Sequence, residues 1–216
     1  MKKEYKYIIF DLDGTLTDSA IGITNSVAYA LSQFGIEVKD KSELNRFVGP
    51  PLEESFRVFY GFSEEDALRG VDEYRVYYRD RGIFENAVYP GVPELLTNLR
   101  ARGKKLILAT SKPEFYAKQI LEHFGLAEYF DFVAGATMDS SRLKKADVIA
   151  YALAECGITD TSECIMIGDR DHDIKGSRVH NIDCLAVLYG YGSLEEITSS
   201  SPAYVAETVE DILKSI

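Results

Sequence analysis

Strand-length apolar runs alternate with helical patterns along most of this chain, and that alternation leaves few folds open to it. The runs fall at residues 7–10, 106–109, 130–134, 164–167, 184–188 and, more weakly, 204–206. Each is short and rich in aliphatic or aromatic residues, the signature of a strand covered on both faces. Between the later runs lie amphipathic stretches marked by Leu95, Leu96 and Leu99, by Tyr116, Ile120 and Phe124, and by Val148, Ile149, Ala152 and Leu153. Strands alternating with helices predict an α/β fold with a parallel, Rossmann-like sheet.

One interval breaks the alternation. From about residue 20 to about residue 86 the periodicity is helical, no convincing strand appears, and Gly35, Gly49-Pro50-Pro51 and Gly61 punctuate the stretch. It is too long for a single crossover helix. It reads as a small helical domain inserted after the first strand, with the chain returning through the turn Tyr89-Pro90-Gly91 to a helix that starts near Pro93. The expected organisation is an α/β core of residues 1–17 and 87–216 and a helical unit of residues 18–86. A length of 216 residues suits one substantial core plus such an insert.

Composition narrows the partners. Lys and Arg total 24 against 35 Asp and Glu, a net charge of -11. A chain this acidic repels nucleic acid and anionic membranes, so a bound anion must be held by local positive groups. Cys156, Cys164 and Cys184 lack metal-ligand spacing and read as small core residues of a cytoplasmic protein. The apolar run after the first residues is too short for a secretory signal, and no later segment has the length of a membrane span.

The chemistry concentrates at strand ends. The first run passes directly into Asp11-Leu12-Asp13-Gly14-Thr15-Leu16-Thr17-Asp18-Ser19. Carboxylates two positions apart point the same way at a strand end. Gly14 permits the sharp turn that leaves the sheet. Asp18 and Ser19 read as caps of the next helix. A second buried run ends in Gly168-Asp169-Arg170-Asp171-His172-Asp173. Acidic residues at a helix N-terminus account for Asp171 but not for Asp169 on the strand itself. Two strand ends aiming carboxylates at one crevice make an oxygen-ligand site of the kind that suits Mg²⁺. A third run ends in Ala109-Thr110-Ser111-Lys112-Pro113, where Ser111 is expected to cap a helix with Pro113 in its first turn. The hydroxyls and free N–H groups there would form a phosphate cradle.

With these motifs in their order and spacing, the chain resembles the haloacid dehalogenase-like phosphatases, in particular the phosphoglycolate phosphatase and 5'-nucleotidase-like group. The resemblance extends over nearly the whole chain and includes the helical insert, which corresponds to that family's cap. It implies that Asp11 is the nucleophile and Asp13 the general acid and base. It implies that Thr110 and Ser111 belong to the phosphate-binding segment. Asp11, Asp169 and the main-chain carbonyl of Asp13 would hold Mg²⁺, with Asp173 in support. Many relatives carry Lys-Pro-x-Pro ahead of the helix that precedes the second acidic strand. Here the segment is Ser141-Arg142-Leu143-Lys144-Lys145-Ala146-Asp147, which resembles an Arg-x-x-Lys variant and selects Lys145, with Lys144 as competitor.

The implied reaction is hydrolysis of a small phosphorylated metabolite, phosphoglycolate-like or a nucleoside monophosphate, through an aspartyl-phosphate. The insert is expected to act as a lid that sets substrate size, with Phe47 and Tyr77 as possible contacts for the organic part. A phosphomutase of the same family and a catalytically silent binding module are the alternatives. A dehalogenase would not need Asp13 or the metal carboxylates. His123 reads as a helix-end residue, His172 as a neighbour of the metal motif, and Arg46 as either a surface group or a ligand for a substrate anion. Adjacent residues at a helix start diverge by about 100°, so only one of Lys144 and Lys145 enters the pocket. Lys145→Ala should cost about 3 kcal/mol of transition-state stabilisation, the scale of a lost catalytic charge contact. Lys144→Ala should be mild, and kcat/KM for the two variants decides between them.

Overall fold

Strand β1 (Tyr7–Phe10) has Ile8, Ile9 and Phe10 wholly buried. Because successive side chains alternate across a strand, both of its faces must be covered, which places it in the interior of a sheet. The computed structural model, which describes residues 3–139 and 141–216, places it there. Strands β4 (Lys105–Pro113), β5 (Phe132–Ala136), β6 (Cys164–Gly168), β7 (Asp183–Val187) and β8 (Tyr204–Ala206) join it in a six-stranded parallel sheet of order β5-β4-β1-β6-β7-β8. The α/β fold expected from the alternation of runs is the fold observed.

Helices α4 (Val92–Ala101), α5 (Glu114–His123), α6 (Lys145–Glu155), α7 (Asp171–Val179), α8 (Leu194–Ser200) and α9 (Val209–Ser215) link and flank these strands. One core joins Ile9, Ile107, Met166 and Cys184 of the sheet to Val148, Ile149 and Ala152 of α6 and Ile174 of α7. The three cysteines are free thiols, and Cys164 and Cys184 are buried. Among the described residues, no helix is long and apolar enough to cross a membrane.

The chain divides into two compact units, Met1–Thr17 with Val88–Ile216, and Asp18–Ala87. The short strands β2 (Thr17–Asp18) and β3 (Ala87–Val88) form the two connections. The second unit holds α1 (Ala20–Ser32), a 3-10 segment (Lys41–Phe47), α2 (Leu52–Tyr60) and α3 (Glu64–Tyr77). Its interior is aromatic: Phe47 lies 5.2 Å from both Phe56 and Phe59, and Phe56 stacks on Phe62 at 5.6 Å. Phe47 is therefore core, not a surface available to a substrate, because a ring buried among rings gains more than one left in water. Tyr77 is part-buried, and its hydroxyl donates to Glu85 at 3.0 Å.

Three local expectations need correction. Ser111 does not cap a helix. Lys112 precedes a proline, which disfavours helical backbone at that residue, so β4 stays extended through Pro113 and α5 begins at Glu114. Ser19 occupies the position before α1 but makes no capping hydrogen bond; the Asp18 carboxylate accepts the Ala20 N–H at 3.2 Å. Strand β5 starts at Phe132, two residues later than the apolar run suggests, because Asp131 is committed elsewhere. Its carboxylate accepts the Leu106 N–H at 2.9 Å and pairs with Arg100 at 2.6 Å and Lys105 at 3.0 Å.

Partial burial works against the Asp131 carboxylate, but Lys105, the Leu106 N–H and Arg100 outweigh it and hold the carboxyl below its usual range. A depressed folded value means that the stabilisation is complete above the unfolded value near pH 4 and fades as pH falls below it. Asp131→Ala should lower the urea-unfolding free energy by about 1–2 kcal/mol at neutral pH. The gap between variant and parent should narrow as pH drops from about 4.

Candidate active site

Sheet order brings the sequence-distant carboxylates together. Strand β1 lies between β4 and β6, with Phe10 level with Leu108 on one side and Ile167 on the other. The chain runs outward from β1 through β4 to β5, then returns to the opposite side through β6, β7 and β8. That reversal leaves a crevice at the carboxyl ends of β1 and β6, where ligands of open α/β sheets bind. Asp11 follows β1, anchored by its N–H to the Ile167 carbonyl at 2.9 Å. Asp169 follows β6 directly, and Asp173 lies in the first turn of α7.

Lys145, the first residue of α6, enters this group from across the sheet. Its ammonium lies 2.8 Å from Asp11 Oδ1 and 2.9 Å from Asp173 Oδ1, and it donates to the Ala109 carbonyl at 3.0 Å. Its side chain is 3% exposed, whereas Lys144 is exposed. Burial alone would lower the lysine's pKa; the charges of Asp11 and Asp173 overcome it and push the value up. The ammonium is therefore a fixed positive charge.

Asp11, Asp169 and Asp173 each offer an oxygen within 4.8 Å of the others, and all three are buried. Burial, then the Asp173 and Asp11 charges, drive the Asp169 pKa well above the ordinary carboxylate range. Burial raises Asp173 as well, with Lys145 opposing and Asp11 adding to the shift. Three carboxylates against one ammonium leave a deficit of two positive charges in a buried place. Asp11 Oδ1 and Asp173 Oδ1 accept no well-directed hydrogen bond. A hard divalent cation supplies that missing charge with the ligand type present, so the residues fit Mg²⁺.

Close backbone approach shapes the cluster. Gly14 has φ 81°, and a Cβ there would lie 2.2 Å from Asp169 Oδ2. At Gly190, in the loop after β7, a Cβ would lie 2.3 Å from the Asp169 Cβ and 2.4 Å from the Gly14 carbonyl oxygen. The same loop donates the Tyr191 N–H to Asp169 Oδ2 at 2.7 Å and the Tyr189 hydroxyl to the Thr15 carbonyl at 2.9 Å. Thr15 Oγ1 donates to Asp169 Oδ1 at 3.4 Å. The loop carries no acid or imidazole, so nothing in its residue types points to a site. Its only sequence signal is the Gly190-Tyr191-Gly192 turn at a strand end.

Asp13 has a different partner. Its Oδ2 lies 2.6 Å from Lys112 Nζ, and both side chains are largely shielded, at 15% and 6% exposure. Thr110 is buried at the end of the regular part of β4, and its Oγ1 accepts the Lys112 N–H at 3.2 Å. Ser111 lies between them, part-buried.

The remaining candidates lie outside this group. Asp171 pairs with Lys175 and with His172 Nδ1, the latter at 2.8 Å. His123 ends α5 with its ring 4.8 Å from that of Phe124. Arg46 belongs to the second unit, its guanidinium 4.5 Å above the Phe59 ring and 5.6 Å from that of Tyr60.

Comparisons with known proteins identify the family. The sequence profile described as haloacid dehalogenase-like hydrolase matches residues 8–187. A 5'-nucleotidase of Pseudomonas aeruginosa is 42% identical over 200 residues, covering 93% of this chain and 90% of that protein. A tyrosine-protein kinase of Mycobacterium tuberculosis is 41% identical over 212 residues, covering 97% of this chain and 72% of that one. The crystal structure of a predicted phosphatase from Clostridium acetobutylicum superposes with a TM-score of 0.94 at 48% identity, covering 98% of this chain and 97% of that one. The chain belongs to the haloacid dehalogenase-like hydrolase family, as one of its phosphatases.

Proposed function

We propose that this phosphatase is a cytoplasmic enzyme that hydrolyses small phosphate monoesters through a phosphorylated Asp11 and depends on Mg²⁺. The observation that carries the reading is the Lys145 ammonium between Asp11 and Asp173, with Asp169 beside them. It supports the reading because Asp11, the proposed nucleophile, shares one sheet crevice with a fixed cation and a cluster of buried carboxylates.

A carboxylate attacking a phosphate ester must overcome like-charge repulsion. Lys145 offsets part of it by lying against Asp11. Asp11, Asp169 and the main-chain carbonyl of Asp13 would hold Mg²⁺, with Asp173 in support; when bound, the ion offsets further negative charge on the phosphoryl group. Asp11 attacks phosphorus, an Asp11–phosphorus bond forms, and the bond to the ester oxygen breaks with its electron pair staying on that oxygen. Asp13 gives the departing alkoxide a proton. Asp13 then takes a proton from the water that attacks the phospho-aspartate, which releases phosphate and restores Asp11. Thr110, Ser111 and nearby backbone N–H groups hold the non-reacting oxygens as charge spreads over them.

Residues 18–86 are proposed as the cap. The unit begins seven positions after Asp11 in the chain, so a lid on those connections would exclude water and restrict the substrate to small molecules. The 5'-nucleotidase likeness puts a nucleoside monophosphate ahead of phosphoglycolate. A second reading rests on the tyrosine-protein kinase likeness. A phospho-aspartate passed to a tyrosine hydroxyl instead of water would make the same site a phosphotransferase.

Asp11→Asn should lower kcat by at least about a thousandfold, the scale of a lost nucleophile, while its thermal unfolding stays close to that of the parent. Full activity in this variant would exclude the covalent route. EDTA should abolish turnover and added Mg²⁺ restore it; Asp169→Ala should raise the Mg²⁺ concentration needed more than Asp173→Ala does. A panel of nucleoside monophosphates, phosphoglycolate and a folded phosphoprotein, assayed by phosphate release, tests the size filter. Equal rates on the phosphoprotein would exclude a lid. Phosphate transfer to a tyrosine peptide in place of release would favour the second reading.

A further inference from the structure

We infer that Lys112 is a positioning residue that fixes which oxygen of Asp13 handles the proton, an inference that rests on the phosphatase reading above. The two lysines of the site divide the work. Lys145 lies on Asp11 and Asp173, whereas Lys112 lies on Asp13 at 2.6 Å. Each reactive carboxylate thus has its own ammonium.

The Lys112 contact is built by the backbone. Strand β4 continues to Pro113, but its pairing with β5 shifts register between Thr110 and Pro113, so the backbone there departs from regular strand alternation. In this irregular stretch the Lys112 N–H donates to Thr110 Oγ1 at 3.2 Å, which ties the two residues together. The lysine side chain is 6% exposed, so the chain gives up most of its rotamer freedom to make this contact. An exposed ion pair would justify little of that cost; a shielded one at a functional strand end has a specific result.

That result concerns the two oxygens of Asp13. Oδ2 is committed to Lys112, whereas Oδ1 is buried with no hydrogen-bond partner among the described residues. A carboxyl group that donates to a departing alkoxide must present one particular oxygen, within hydrogen-bond reach of the ester. With Oδ2 held, the plane of the carboxyl is set and Oδ1 is the oxygen left for the proton. In the first half-reaction the proton on Oδ1 passes to the ester oxygen as the phosphorus–oxygen bond breaks. In the second, Oδ1 receives a proton from the attacking water. Without Lys112 the carboxyl is free to rotate, and the fraction of time spent in the productive orientation falls.

This role predicts a dependence on the leaving group that a merely structural role would not produce. An alkyl ester, such as a nucleoside 5'-monophosphate, needs the proton because its alkoxide is a poor leaving group. p-Nitrophenyl phosphate hardly needs it, because the nitrophenolate leaves unprotonated. In Lys112→Met, which keeps side-chain length and removes the charge, the ratio of kcat/KM for the alkyl ester to kcat/KM for the aryl ester, which reports only the steps through departure of the leaving group, should fall at least about tenfold. Asp13→Asn should lower that ratio as far or further, and the double variant no further than Asp13→Asn alone, since both act on one proton transfer. Turnover of the aryl ester by Lys112→Met also reports that the variant is folded. An unchanged ratio, with both esters slowed alike or neither slowed, would overturn the role of Lys112 and leave the phosphatase reading standing. A parent protein inactive on both esters in the presence of Mg²⁺ would overturn that reading and this inference with it.

Discussion

Three carboxylates buried against a single ammonium are the constraint around which the core unit is arranged. Asp11, Asp169 and Asp173 repel one another, and burial makes Asp169 and Asp173 costlier to ionise. The fold concentrates this cost at the junction of β1 and β6 and offsets it with Lys145 and with backbone N–H groups from Arg170 and Tyr191. That charge imbalance is what the proposed divalent cation would offset. The same imbalance explains the local sterics, since Gly14 and Gly190 must lack side chains for two loops to close on Asp169.

Strand order converts this local chemistry into a reaction site. With β1 between β4 and β6, Asp11, the proposed nucleophile, has the Thr110 segment on one side and the acidic strand on the other. Lys145 spans the two, reaching the Ala109 carbonyl of β4 and the Asp173 carboxylate of α7 from one ammonium. A shift of any one of these strands would separate charges whose interaction weakens steeply with distance. Catalytic geometry and sheet packing are therefore the same constraint in this protein, and the well-filled core beneath the site, from Ile9 and Met166 to Ile174, fixes both.

The second unit follows a different logic. Its residues pack an aromatic interior of Phe47, Phe56 and Phe62 and hold Arg46 against ring faces. That interior carries no carboxylate cluster among its described residues. In the proposed reading, chemistry and substrate selection belong to separate parts of the chain, which would allow a substrate preference to change without disturbing the charges around Asp11.

Much of this was legible in the sequence because it depends on local rules. Apolar runs of strand length, a Gly after paired carboxylates and a second Gly-Asp at a strand end are written in consecutive residues, and they located the parallel sheet and the acidic crevice. Helix geometry showed that Lys144 and Lys145 could not both enter the site, while the choice of Lys145 came from family resemblance, and the tertiary structure supplies the distances. The start of α5 was misread because a serine before a proline resembles a cap, whereas backbone restriction at Lys112 keeps the strand extended. That error hid the pairing of Lys112 with Asp13. The Gly190–Tyr191 loop was missed because its contribution is made by backbone atoms, which every residue type shares. The sequence by itself determined which strands form and which ends carry acid. Only the tertiary structure decided which ammonium meets which carboxylate, because Lys145 and Asp173, 28 positions apart, Lys112 and Asp13, 99 apart, and Lys145 and Asp11, 134 apart, become neighbours through strand order and loop closure, and neither is encoded in any local stretch of chain.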